Sequence, residues 1–388
     1  MELTPFTLDV PQADLDDLHD RLDRTRWPGP GGGTGWERGV PLSYLQDLAR
    51  YWRSGFDWRA QEARLNEIPQ FTTEVDGQTL HVAHASSPEP GAFPLVMTHG
   101  WPSSVFEFQQ VVGPLTDPAA HGGDPADAFH LLMPSVPGFG LSTPVPGAGW
   151  GNLFRVAGAI AGVMAELGYD TYGAQGGDVG AGVSGMLGMV AADHVAGVHM
   201  NGPVPYPFGP PLSTDGLDER DAERALRFNE FQRDGMGYLH LQTTRPQTLA
   251  YLLNDSPVGQ LGWIVEKFHE WTDPIHELPD GAVDRDQLLA NVSLTWFRGA
   301  GASSAHTTYE GMQAFREFVE GSGGTGTMPG GPPTGAAVFA ADNSIRSVID
   351  PNGDLVHWTE HDRGGHFAAM EAPDLLVEDV RTFFRAYR

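Results

Sequence analysis

Residues 176–180 read Gly-Gly-Asp-Val-Gly, a carboxylate set among glycines where a strand should turn sharply into a helix. Such a turn is the form of a nucleophile elbow: small neighbours tolerate the strained backbone, and the central side chain projects at the carboxyl edge of a sheet. The usual central residue of that motif is serine; here it is Asp178. A carboxylate in that place can attack carbon, form an ester, and be regenerated when water attacks the ester carbonyl. It is a poor acyl-transfer nucleophile, which counts against ester hydrolysis. A structural reading competes, in which Asp178 simply caps the following helix.

The residues downstream tip the balance toward chemistry. Elbow enzymes order their triad as nucleophile, acid, histidine. Asp342 follows the apolar run "AAVFA", and His366 stands in "RGGHFAAMEAP" beyond the next strand. Both fall past the carboxyl ends of late strands, where open parallel sheets place their sites. Asp342 would orient the His366 imidazole while its other ring nitrogen takes a proton from water. His357 and His361 compete for the base role, but His357 lies inside the strand and His361 near its end. Upstream, "HGWP" at 99–102 follows another short apolar run. The backbone N–H groups of Trp101 and Val179 are the expected oxyanion donors. A cis peptide before Pro102 fits this tetrapeptide, as does an ordinary Gly-Pro loop.

The elements that would position these residues follow from periodicity. Leu15, Leu18 and Leu22 repeat at helical spacing, "TRWPGPGGGTGW" ends that helix, and Leu42 to Trp52 starts another. Residues 1–70 are therefore expected as a helical extension packed on the body. "FTTEV", a turn at Asp76-Gly77 and "QTLHVAHA" predict a hairpin. "FPLVMTH", "AFHLLMP", "TYGAQGG" and "VAGVHMN" predict strands, separated by helices at 106–115, 153–167 and 179–191. That alternation predicts an α/β fold with a mostly parallel sheet covered on both faces, its first part spanning 71–203. Residues 204–320 predict a mostly helical cap, with helices at 218–236, 245–271, 285–296 and 308–319. The tract from Gly321 to Pro333 is expected as a mobile surface loop. The sheet resumes with "AAVFA" and "LVHWTEH", and a helix from Pro373 to Tyr387 closes the region 321–388.

Composition excludes several classes. Against 50 Asp plus Glu stand 23 Lys plus Arg, of which Lys267 is the only lysine, and the formal charge is -27. Binding to a phosphate backbone needs local positive potential, so no nucleic-acid partner is expected. With no cysteine, thiol catalysis and zinc-thiolate sites are excluded. No signal-like start and no membrane-length apolar run is present, so a cytoplasmic protein with no membrane partner is expected.

Taken together, "PFTLDVP", "RLDRTRWP", "HGWPSSVFEF", "MPSVPGFGLSTP", "QGGDVG", "GYLHLQTTRPQTLAYLLNDSPVGQLGWIVEKFHEWTD" and "GGHFAAMEAPDLLVEDV" resemble the epoxide hydrolases of the α/β-hydrolase fold, in the microsomal and fungal-like branch. The resemblance spans nearly the whole chain and implies hydrolysis of a small-molecule epoxide to a vicinal diol, without metal or organic cofactor. By motif it assigns Asp178 as nucleophile, His366 as base and Asp342 as its acidic partner. Tyr238 and Tyr309 would bind the epoxide oxygen and donate a proton as the ring opens. A phenol stays protonated at neutral pH, near a reference pKa of about 10, yet can supply a proton to a developing alkoxide. Trp101, Pro102 and Val179 would line the substrate. The family commonly has tryptophan after the nucleophile, where this chain has Val179, and its microsomal members carry a membrane anchor. A soluble bacterial counterpart is implied, acting in detoxification or natural-product biosynthesis, and a homodimer is compatible with relatives. A haloalkane dehalogenase-like hydrolase and a non-catalytic binding protein of the same fold are the alternatives. Halide release favours a tryptophan donor after the nucleophile, which Val179 does not supply.

Overall fold

The computed structural model describes residues 1–29, 31, 35–205, 207–321 and 331–388. Within them lie the strands β1 (Thr4–Phe6), β2 (Gln70–Val75), β3 (Gln78–Ala85), β4 (Phe93–Thr98), β5 (Phe129–Pro134), β6 (Tyr172–Gly177), β7 (Val195–Asn201), β8 (Thr334–Val338) and β9 (His357–Glu360). Among the described residues they form one sheet in the order β1-β2-β3-β5-β4-β6-β7-β8-β9. The first four neighbours pair antiparallel, and from β5 to β9 every pairing is parallel. The hairpin turns at Asp76 and Gly77, both with positive φ, the geometry that matches the twist of the flanking strands. This is the α/β-hydrolase architecture.

The central strands β4 and β5 are mainly apolar because both of their faces are covered. On β4, Leu95 and Met97 enter one core with Phe129, Leu131, Leu376 and Phe384, while Val96 enters the other with Ile160, Val183 and Val198. That alternation is the period of two that a pleated strand imposes. The chain passes from β4 to β5 on one side and then to β6 on the other, so the strand order reverses between β4 and β6. Thr98 lies opposite Gly176 there, and the loops leaving both strands open at the same edge.

The helices Gln12–Asp23 and Leu42–Ser54 hold the cap in place. Leu18, Leu22, Leu48 and Trp52 pack against Val258, Leu261, Ile264 and Phe268 of the cap helix Pro257–Trp271. Each such side chain contributes about 1.5–3 kcal/mol when fully buried. The short β1, which pairs with β2, was not expected from sequence.

The cap differs from expectation in its joints. The helix expected over 245–271 is two helices, Pro246–Asp255 and Pro257–Trp271. Pro257 cannot continue the hydrogen-bond ladder, and Ser256 caps the second helix by accepting from the Gly259 N–H. The helix expected at 308–319 begins earlier, as Ala300–Gly321. The helix expected over 218–236 is present, as Glu219–Glu230 continued by a π-helical turn, Phe231–Gly235, and an unforeseen helix, Gly237–Thr244, carries Tyr238. The loop expected at 321–333 falls mainly on residues 322–330, outside the described residues. Among the described residues, no helix is long and apolar enough to cross a membrane.

Candidate active site

Asp178 joins β6 to the helix Val179–Val190 with φ 53° and ψ −124°, a left-handed conformation that non-glycine residues rarely adopt. Its side chain makes no capping bond to that helix. The carboxylate instead accepts the Trp101 N–H, with N to Oδ1 at 2.8 Å. The surrounding glycines are required by contact. A Cβ on Gly180 would stand 1.8 Å from the Thr98 carbonyl oxygen, and one on Gly100 would meet the Asp178 Cβ at 2.6 Å. The Trp101–Pro102 peptide is cis. Val179 opens the helix; among the described residues its N–H makes no bond to the carboxylate.

His366 and Asp178 line one narrow void, together with Trp101 and Glu107. The histidine loop is stitched to the end of the cap helix: the His366 N–H donates to the Trp271 carbonyl at 2.9 Å, and the Gly364 N–H donates to Asp273 Oδ2 at 2.9 Å. A Cβ on Gly365 would strike that Trp271 carbonyl at 2.5 Å, which explains the paired glycines before the histidine. Asp342 is buried past β8. Burial pushes its carboxyl up to about 6, against the pull of the Phe339 N–H it accepts and of His366 beside it.

The cap closes the other side. Tyr238 stacks on Trp101 with ring centroids 5.0 Å apart and planes 7° from parallel, and meets the Trp271 ring edge-on at 5.3 Å. Trp271 in turn lies 4.8 Å from the His366 ring. Burial pushes the Tyr238 phenol up, and Asp178 and Glu270 push it further. A second small void adjoins, lined by Trp101, Pro102, Phe139, Trp263 and Ile264 together with the polar Ser103, Gln260, Thr295 and Ser304.

Tyr309 is not brought into this group. It is 38% exposed on the helix Ala300–Gly321, and among the described residues its hydroxyl has no hydrogen-bond partner. Ala300, Gly301 and Ser304 mark the face of that helix turned to the second void. At about 100° per residue, Tyr309 is rotated roughly 140° away from it, and Thr308 shares the face instead. The sequence placed the tyrosine in the right segment but one residue out of phase.

His357 and His361, weighed as bases, are engaged elsewhere. His199, His357 and His361 each direct Nε2 at Asp379, at 2.8, 2.8 and 3.0 Å. Burial alone would raise that carboxyl, but the three imidazoles pull it well below the usual carboxylate range. His199, His357 and Asp379 bring their ligand-type atoms only within 4.8 Å of one another. Tetrahedral zinc would need about 3.4 Å, so the geometry is that of a hydrogen-bonded clamp fixing the terminal helix to the sheet.

Glu107 escaped the sequence reading. It is buried beside the nucleophile, and burial, with Asp178 adding, pushes its carboxyl up to about 7. A charged residue inside the apolar run "SSVFEF" was the available signal.

Residues 3–108 match the family profile described as epoxide hydrolase N terminus. A Stigmatella aurantiaca protein is 43% identical over the whole of this chain and 86% of its own length. Epoxide hydrolase 1 of Oryctolagus cuniculus is 33% identical over 98% of this chain and 88% of its length. The structure of Aspergillus niger epoxide hydrolase, 32% identical, superposes with a TM-score of 0.86, covering all of this chain and 97% of that one.

Proposed function

The chain belongs to the epoxide hydrolases of the α/β-hydrolase fold, and we propose that it opens the epoxide with Asp178 and hydrolyses the resulting ester with His366. The observation carrying this reading is the strained Asp178 turn, whose carboxylate accepts the Trp101 N–H while His366 shares its void.

In the first step one Asp178 oxygen bonds to an epoxide carbon as the ring C–O bond breaks. Tyr238 gives its proton to the departing oxygen and is left as phenolate. In the second step water attacks the Asp178 carbonyl carbon, and His366, steadied by Asp342, takes the proton. The tetrahedral oxyanion is held by the Trp101 N–H, and by the Val179 N–H once it turns inward. On collapse the bond from the Asp178 carbonyl carbon to the alcohol oxygen breaks; that oxygen takes one of the two water-derived protons and leaves as the diol, the other passes to the Tyr238 phenolate, and Asp178 is again a carboxylate. Glu107 faces the same void and holds the attacking water. Tyr309 stands outside this constellation, so among the described residues Tyr238 is the phenol that serves ring opening.

The aromatic wall of Trp101, Phe139 and Trp263 beside the nucleophile makes small aryl and alkyl epoxides the first substrates to test. Styrene oxide should yield its diol with wild-type protein and none with Asp178→Asn. His366→Gln should trap the ester. Turnover by Asp178→Asn at the wild-type rate would defeat the reading.

A further inference from the structure

In a chain whose other basic residues are all arginine, Lys267 is buried to 2% side-chain exposure on the cap helix Pro257–Trp271. An ammonium taken out of water is costly, and an aliphatic residue on this helix would pack into the adjoining core without that cost. Its partners explain what it does instead. Nζ lies 2.8 Å from Glu266 Oε1 and 2.7 Å from Glu270 Oε2. The same ammonium sits 4.7 Å from the centroid of the Tyr238 ring and 5.8 Å from that of Trp271.

The charges around Tyr238 make this placement consequential. Asp178 and Glu270 both act against negative charge on the phenol, and the stacked Trp101 ring and the edge-on Trp271 ring offer it no cation. A phenol in that setting gives up its proton reluctantly, and among the described residues no second tyrosine shares the load. The two glutamates pair with the ammonium, and the ring contact directs its field at the phenol rather than at solvent.

We propose that Lys267 is a positioning residue for ring opening, its ammonium over the Tyr238 ring stabilising the phenolate that forms as the proton passes to the epoxide oxygen. This rests on Tyr238 being the proton donor. It separates the two half-reactions, because ester hydrolysis does not use the phenol's acidity.

Single-turnover kinetics with styrene oxide, following ester formation and ester decay by tryptophan fluorescence, tests it. Lys267→Met should slow ester formation roughly 5- to 30-fold, the span of a desolvated cation–π contact, and leave decay unchanged. Lys267→Arg should restore most of that loss. In a Tyr238→Phe background, Lys267→Met should have no further effect on ester formation. Ester formation at the wild-type rate in Lys267→Met, or equal slowing of both steps, overturns the proposal. Should Lys267→Met fail to fold, Lys267→Gln decides, since its amide can still hydrogen-bond Glu266 and Glu270 without supplying the charge. It should slow ester formation as Lys267→Met would; formation at the wild-type rate overturns the proposal. If Tyr238→Phe itself leaves ester formation intact, the donor assignment fails instead.

Discussion

The two walls of the site are built by different physics. The sheet wall is fixed by backbone: Asp178 sits in a turn that glycine contacts at Gly100 and Gly180 leave no room to alter, and its first donor is a main-chain N–H. The cap wall is carried by side chains on helices, Tyr238 and Lys267, held by ring stacking and ion pairs. The difference teaches where substitutions should be absolute and where graded. Loss of a sheet-wall group removes a chemical step, whereas loss of a cap-wall group weakens one.

The largest effects should therefore fall on the sheet wall. Asp178→Asn should lower turnover on the order of ten-thousandfold, measured as diol from styrene oxide. His366→Gln should slow ester decay about a thousandfold while ester formation persists, so that the covalent species accumulates and is seen by intact-protein mass spectrometry. A smaller loss separates the two cap tyrosines. Tyr238→Phe should slow ester formation about a hundredfold, while Tyr309→Phe should change it by less than about twofold, as surface substitutions usually do. Equal losses at both positions would erase the distinction drawn from helical phase.

Legibility followed the same division. The elbow, "HGWP" and "RGGH" are local motifs whose glycines answer to contacts a few residues away in space, so the sheet wall could be read directly. The strand pattern was equally plain because both faces of β4 and β5 are buried. On the cap, a residue's role depends on which way its helix is turned, and that is set by partners distant in the chain. Tyr309 was assigned by segment and lost by phase, and the Ser256-Pro257 break was available in the sequence but overridden by apolar continuity. Lys267 gave no sign of burial, since a lone lysine beside two glutamates reads as a solvated face. The strand β1 exists only because β2 offers an edge.

The smallest effect is on stability. Burial holds the Glu107 carboxyl at about 7, above its ordinary 4.5, so the folded state keeps a proton there that the unfolded chain loses. The contribution is complete below about pH 4.5 and is lost as pH rises through 7, by at most about 3 kcal/mol. Glu107→Gln should therefore gain stability relative to wild type between pH 5 and pH 8 in denaturant unfolding. A constant difference across that range would remove the carboxyl from the void.

The most direct test of the covalent route is a single turnover in oxygen-18 water with enzyme in excess over styrene oxide. Mass analysis of the peptide containing Asp178 should find one heavy oxygen in its carboxylate, with the diol of that first turnover unlabelled. Heavy oxygen appearing first in the diol, with Asp178 unlabelled, would mean that water opens the ring directly and that the carboxylate never forms an ester.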